Sequence, residues 1–130
     1  MPRFEPFAGL RYARDRVRLD DVVAPPYDVI SPEEQEALER RSQYNSVRVE
    51  LPRDEPGVDR YRVAARLLAQ WRAEGVLISD AEPLLYRYRM TFSDEAGRPR
   101  QSVGVIGALG LESPGPGGIL PHERTTPKAK

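Results

Sequence analysis

Two short polar segments carry the residue types from which a phosphate site can be assembled. One is Ala24-Pro25-Pro26-Tyr27-Asp28-Val29-Ile30, and the other is His122-Glu123-Arg124-Thr125-Thr126. The second sets an imidazole, a carboxylate, a guanidinium and two hydroxyls in consecutive positions, and it holds the only histidine of the chain. It follows the run Ser113-Pro114-Gly115-Pro116-Gly117-Gly118. Glycine lets a ligand approach the main chain closely. Backbone amides with an arginine then make an anion site.

Each side chain has a chemical reading and an ordinary one. His122 titrates near neutrality and suits general acid–base work; it could equally be a surface histidine in a tail. Arg124 matches phosphate oxygens with its planar fork, or forms a structural ion pair. Glu123 could orient Arg124, hold magnesium or act as a base; a solvated carboxylate is the alternative. Thr125 and Thr126 can cap a helix and also donate to phosphate. Tyr27 and Asp28 sit on a loop whose backbone is fixed by two prolines. A carboxylate on a rigid loop suits base or metal chemistry, and a turn-forming aspartate is the plain alternative. The candidate catalytic groups are therefore His122, Glu123 and Asp28. Arg124, Thr125 and Tyr27 are the candidate ligand contacts.

Composition narrows the classes. The chain has 130 residues, 20 basic against 20 acidic side chains and no cysteine. A disulfide scaffold, a thiol nucleophile and a cysteine zinc site are excluded, and a reducing cytoplasm is the expected compartment. With one histidine, no metal ligand set is assigned and intrinsic zinc affinity should be weak. The balanced charge gives no electrostatic footprint for nucleic acid. No apolar run approaches a membrane span of about 20 residues. At 39% hydrophobic residues the chain should fold.

The elements that must position these residues read as follows. Residues 3–10 suggest an edge or irregular strand, and 14–21 are ambiguous. Ser31-Pro32-Glu33-Glu34 carries a capping box and a proline suited to the first helical turn, so a helix should run to Arg41. Val47, Val49 and Leu51 alternate with Arg48 and Glu50, predicting a strand over 45–51 with those polar residues and Asn45 on its surface. A loop over 52–57 leads to an amphipathic helix over 58–74. Its apolar face should be Tyr61, Ala64, Ala65, Leu68 and Trp71 or Arg72, and Gly75 should end it. Val76 to Ile78 suggests a short strand. Residues 84–92, a turn over 93–97 and a return strand over 101–109 predict a β-hairpin. Gly104 and Gly107 leave room against that strand. The sum is an α+β fold: a small mixed sheet with an antiparallel hairpin, covered by two or three helices. We read one domain over 1–130, with 113–130 as a flexible tail.

Three segments together, Ala24 to Ile30, Asn45-Ser46-Val47-Arg48-Val49-Glu50-Leu51-Pro52 and His122-Glu123-Arg124-Thr125, resemble the N-terminal part of a bacterial family catalogued as domain of unknown function 1015. Glu74-Gly75-Val76-Leu77 and Leu85-Tyr86-Arg87-Tyr88 between them are similar too. The resemblance implies a longer parent, because members continue after this last motif through a lysine-containing link to an Asp-Arg pair. Lys128 fits the link and the pair is missing, so the chain is expected to be the truncated N-terminal part. The family is loosely grouped with ParB and sulfiredoxin-like proteins, where a polar motif with arginine opens a helix and holds nucleotide phosphates.

What the resemblance implies is a domain that binds a phosphate-bearing small molecule or nucleotide, carried in with magnesium, as part of a small-molecule kinase-like phosphotransferase in the full-length protein. The alternative is a non-enzymatic interaction or regulatory domain of a ParB-like protein. The remainder of the full-length protein is an expected partner; a membrane and direct nucleic-acid contact are not. Asp28 and Arg124 should lie on one sheet edge as a single site, with Gly104 or Gly107 lining the gap.

Overall fold

The computed structural model describes residues 2–111. In chain order its elements are β1 (Phe4–Glu5), β2 (Leu10–Tyr12), α1 (Leu19–Val22), α2 (Pro32–Arg41), α3 (Val47–Glu50), α4 (Arg60–Ala73), β3 (Leu77–Ser79), β4 (Tyr86–Ser93), β5 (Pro99–Ile106) and β6 (Ala108–Leu109). The fold is α+β, with helices and an antiparallel hairpin as expected. The strands form three two-stranded antiparallel ladders, β1-β6, β2-β3 and β4-β5. The chain divides into two compact units, Leu10–Ser79 and a second made of the residues up to Gly9 with those from Asp80 onward. Among the described residues no helix is long and apolar enough to cross a membrane.

Local chemistry sets the two long helices of the first unit. At α2 the Ser31 hydroxyl accepts from the Glu34 amide at 3.2 Å, and the Glu34 carboxylate accepts from the Ser31 amide at 3.2 Å. This is the capping box anticipated from the sequence, with Pro32 in the first turn. Glu33 and Glu34 begin the helix and Arg40 and Arg41 end it, so side-chain charges oppose the helix dipole.

At α4 the Asp59 carboxylate accepts from the Tyr61 amide at 2.8 Å. The helix ends at Gly75, whose φ of 70° favours a residue without a side chain. The Val76 amide donates to the Trp71 carbonyl at 2.9 Å and the Gly75 amide to the Arg72 carbonyl at 3.1 Å. That pair of bonds is a Schellman motif.

The buried face of α4 differs from the expected one. Val63 and Trp71 are buried, with Ala64, Leu67 and Leu68 partly so, while Tyr61 is 64% exposed and Ala65 is exposed. Both rows follow helical spacing, one step apart in the sequence. Trp71 decides between them, because its ring packs against Tyr12 at 6.3 Å and Tyr44 at 6.0 Å, beside Val76 and Leu77.

The segment expected as a strand over 45–51 is instead the single helical turn α3. The Ser46 carbonyl accepts from the Val49 and Glu50 amides at 2.9 and 3.0 Å. Val47 joins Ile30 and Leu38 in one apolar cluster, with Leu51 packed against it, and Val49 packs against the cluster around Trp71. Over so few residues, alternation and one turn of helix give the same apolar pattern. Nor is Asn45 a surface residue: it is 0% exposed.

In the second unit, Phe4 pairs with Leu109 and Glu5 with Ala108. The Tyr86 ring packs on Phe7 at 5.1 Å, and its hydroxyl donates to Asp80 at 2.6 Å and accepts from the Gly9 amide at 2.6 Å. The hairpin runs in register from Tyr86↔Ile106 to Ser93↔Pro99. Its turn is organised by Asp94, whose Oδ1 accepts from the amides of Ala96 at 3.0 Å and Arg98 at 2.9 Å. The turn sits where the sequence placed it. Gly107 leaves space that Phe4 and Leu85 fill, since a β-carbon there would lie 2.6 Å from the Phe4 ring and 2.9 Å from Leu85. It therefore serves packing, whereas a β-carbon at Gly104 would meet nothing within 4 Å.

Candidate functional site

The loop 24–30 is held by chemistry on both sides. The Asn45 side-chain amide donates to the Asp21 carbonyl at 2.9 Å and to the Val23 carbonyl at 3.2 Å. Its Oδ1 accepts from the Val47 amide at 3.0 Å. The Ser46 amide adds a bond to the Val22 carbonyl at 2.7 Å. Asn45 thus satisfies three backbone groups at once, of which the Val47 amide is buried and would cost about 1–3 kcal/mol if left unpaired. After the prolines, the Val29 amide donates to the Pro26 carbonyl at 3.1 Å and closes a turn. Ile30 and Ala24 then pack with Leu38 and Val47. The loop is fixed at its entry by Asn45 and at its exit by Ile30.

The first half of this loop forms one wall of a shallow groove of about 410 Å³. Val23, Ala24 and Pro25 line it from the loop, and Glu34, Ala37, Leu38 and Arg41 line it from α2. Glu34 and Arg41 lie seven positions apart on one helix face, about 10 Å along the axis. The Glu34 carboxylate is engaged in the capping box. Arg41 spends one donor on the Asp20 carbonyl, at 3.4 Å. It brings a permanent cation to one end of a wall that has Ala37 and Leu38 in the middle and the capping carboxylate of Glu34 at the other end. Sequence reading passed over Arg41 because it looked like a helix-terminal charge; its seven-residue spacing from Glu34 was the available signal.

α2 is braced from below. Arg48 Nη2 donates to the Glu39 carbonyl at 2.7 Å and Nε to the Ser42 carbonyl at 3.4 Å, satisfying the helix C-terminus. Arg53 forms a bidentate pair with Glu39 at 2.9 and 3.2 Å. Burial pushes the Glu39 carboxyl up, but the contacts from Arg53 and Gln35 outweigh it and hold the group below its usual value.

Of the expected site residues, Tyr27 is half-buried and Asp28 exposed in the turn that follows the groove wall, and neither lines the groove. His122, Glu123, Arg124, Thr125 and Thr126 lie outside the described residues, as does the expected tail over 113–130. The structure brings together the first two of the three motif segments, through the packing of Ala24 and Ile30 with Val47 and Leu51, and Asn45 and Ser46 bond to the residues just ahead of the first. Among the described residues no three or more histidine or carboxylate side chains are grouped to hold a metal ion.

A second hollow, of about 200 Å³, is lined by Tyr12, Val49, Glu50 and Trp71 with neighbouring apolar residues. Here burial, and after it the charge of Glu50, pushes the Tyr12 phenol up to about 12. Its hydroxyl donates to the Tyr44 carbonyl at 2.8 Å. The group stays protonated at neutral pH and serves as a fixed donor.

One family model matches residues 4–130, nearly the whole chain. The chain belongs to the family of proteins of unknown function DUF1015. No curated protein and no solved structure matches it. Within this DUF1015 chain the segments that carried the resemblance have distinct mechanical roles: Asn45 and Ser46 latch the loop, and Gly75 with Val76 ends α4.

Proposed function

We propose that this DUF1015 domain binds a phosphate-bearing small molecule, a nucleotide being the foremost case, in the groove between the proline-pinned loop and α2. The observation that carries the reading is the groove itself. Its loop wall is locked by a buried asparagine, its floor is apolar, and Arg41 offers donors at one end. Preorganised walls reduce the ordering cost of binding, and a guanidinium suits phosphate oxygens better than an ammonium does. The flat part of a base or a ring would lie against Pro25 and Leu38, with phosphate at Arg41. The roles proposed for the terminal motif are independent of the groove: phosphate contact for Arg124, magnesium or base chemistry for Glu123 and proton transfer for His122. Asp28, in the turn that follows the groove wall, is the proposed carboxylate of the loop. Phosphoryl transfer in the full-length protein would need little beyond such positioning and charge neutralisation.

Calorimetric titration of the chain with ATP, with and without magnesium, tests this. Binding that weakens about tenfold or more in Arg41→Ala, a loss of about 1.5 kcal/mol or more for a charged hydrogen bond, is the expected result. Equal affinity in the folded variant removes the groove from the site. Loss in Arg124→Ala alone would locate the phosphate contact in the terminal motif.

A further inference from the structure

The hairpin β4-β5 leaves an unusual edge. Eight residues of β5 are exposed, and among the described residues β4 is its only partner. Two-stranded hairpins are marginal in water, and natural edge strands carry charges, bulges or prolines that discourage further pairing. β5 has Pro99 at its start and one charged residue, Arg100, which is tied to Asp94 at 3.0 Å. From Gln101 to Ile106 there is no charge. Val103 is 56% and Val105 60% exposed. The opposite edge differs: β4 carries Arg87 and Arg89 among its aromatic residues.

We infer that the β5 edge pairs with the β5 edge of a second copy of this chain, antiparallel about a two-fold axis at Gly104, giving a four-stranded sheet β4-β5-β5-β4. This register sets Val103 opposite the partner's Val105 and Ser102 opposite the partner's Ile106, with Gly104 facing its own counterpart. Every cross-strand pair is then free of like charges, and four valines form one apolar cluster on a single face. A two-fold through the edge of β4, about Tyr88, would instead set Arg87 against the partner's Arg89. Along β5 no two-fold between Gln101 and Ile106 sets like charges against each other, because that run is uncharged. On the other face Tyr88 lies opposite Gly104 in the hairpin register. The paired glycines leave a trough there between the two Tyr88 rings, consistent with the open space around Gly104.

The 130-residue chain tests this directly. Light scattering with size exclusion, at about 100 μM, should read twice the 14.7 kDa of one chain if association is at the about 1 μM level of a modest interface. Val103→Lys with Val105→Lys should return the single-chain mass while the far-ultraviolet dichroism is kept. The chain has no native cysteine, so Gly104→Cys supplies a readout that does not need a destabilising change. Opposed β-carbons in a ladder are about 4.5–5.5 Å apart, close to disulfide reach. Mild oxidation should give a reducible covalent dimer from Gly104→Cys and at least tenfold less from Arg89→Cys. A single-chain mass at that concentration overturns the inference, as do a dimer that survives the two lysines and equal cross-linking at positions 89 and 104.

Discussion

The Asn45 side chain donates to the Asp21 carbonyl at 2.9 Å across 24 residues of sequence, and through that bond the start of α3 holds the entry to the proline-pinned loop. The same amide reaches Val23 and the same carbonyl oxygen receives Val47. A single buried polar side chain ties one family segment to the residues that lead into another.

Asn45→Ala should therefore destabilise the protein by about 3 kcal/mol, the upper end for stranded buried partners. Asn45→Asp keeps the contact to Val47 but sets a carboxylate against two carbonyls, so it should cost at least as much. Urea denaturation followed by tryptophan fluorescence reads both, Trp71 being the only tryptophan. Stability unchanged in either variant would mean the latch is not formed in solution.

The two hairpin-side glycines separate space from conformation. Gly107→Ala would drive a β-carbon to 2.6 Å from the Phe4 ring, and overpacking of this kind costs about 1–3 kcal/mol. Gly104→Ala meets nothing within 4 Å and should be neutral, or stabilising by about 0.4–1 kcal/mol through the unfolded state. Thermal melting of both variants checks the contrast, and equal shifts would refute it.

Tyr12 should ionise only at about 12. Its folded value lies above the ordinary 10.0, so the unfolded chain loses this proton first as pH rises. Its contribution to stability is complete below pH 10 and disappears as pH climbs from 10 to about 12. Solvent screening at this half-buried site keeps the contribution to about 1 kcal/mol. Spectrophotometric titration of the wild type against Tyr12→Phe should show a step at about pH 12 that is missing in the variant.

Asp94 responds to acid in the opposite sense. The Arg98 amide foremost, with the side chains of Arg100 and Arg98 and the Ala96 amide, holds its carboxyl below the usual 3.8 against the opposing effect of desolvation. Its contribution to the hairpin turn is present above that value and is lost as pH falls through the lower folded one. Acid titration by NMR should move the Ala96 and Arg98 amides together. Asp94→Ala should shift both at neutral pH, and unmoved amides would show that the carboxylate does not organise the turn.

Local signals were legible in the sequence wherever a few neighbouring residues settle the matter. Ser31, Pro32 and Glu34 determine how α2 begins, Gly75 ends α4, and Asp94 to Gly97 turn the hairpin, because caps and turns are satisfied within four or five residues. Family membership was legible in the same way, from short motifs. Four features needed the tertiary structure. The 45–51 segment became a helical turn because Val47 and Val49 pack into different clusters. The α4 face was chosen by what surrounds Trp71. Asn45 became a buried latch, and Arg41 a groove residue, only when distant segments met. Spacing along a chain records which faces are apolar; which partner each face meets, and which polar group must then be satisfied, is decided by packing between residues far apart in sequence.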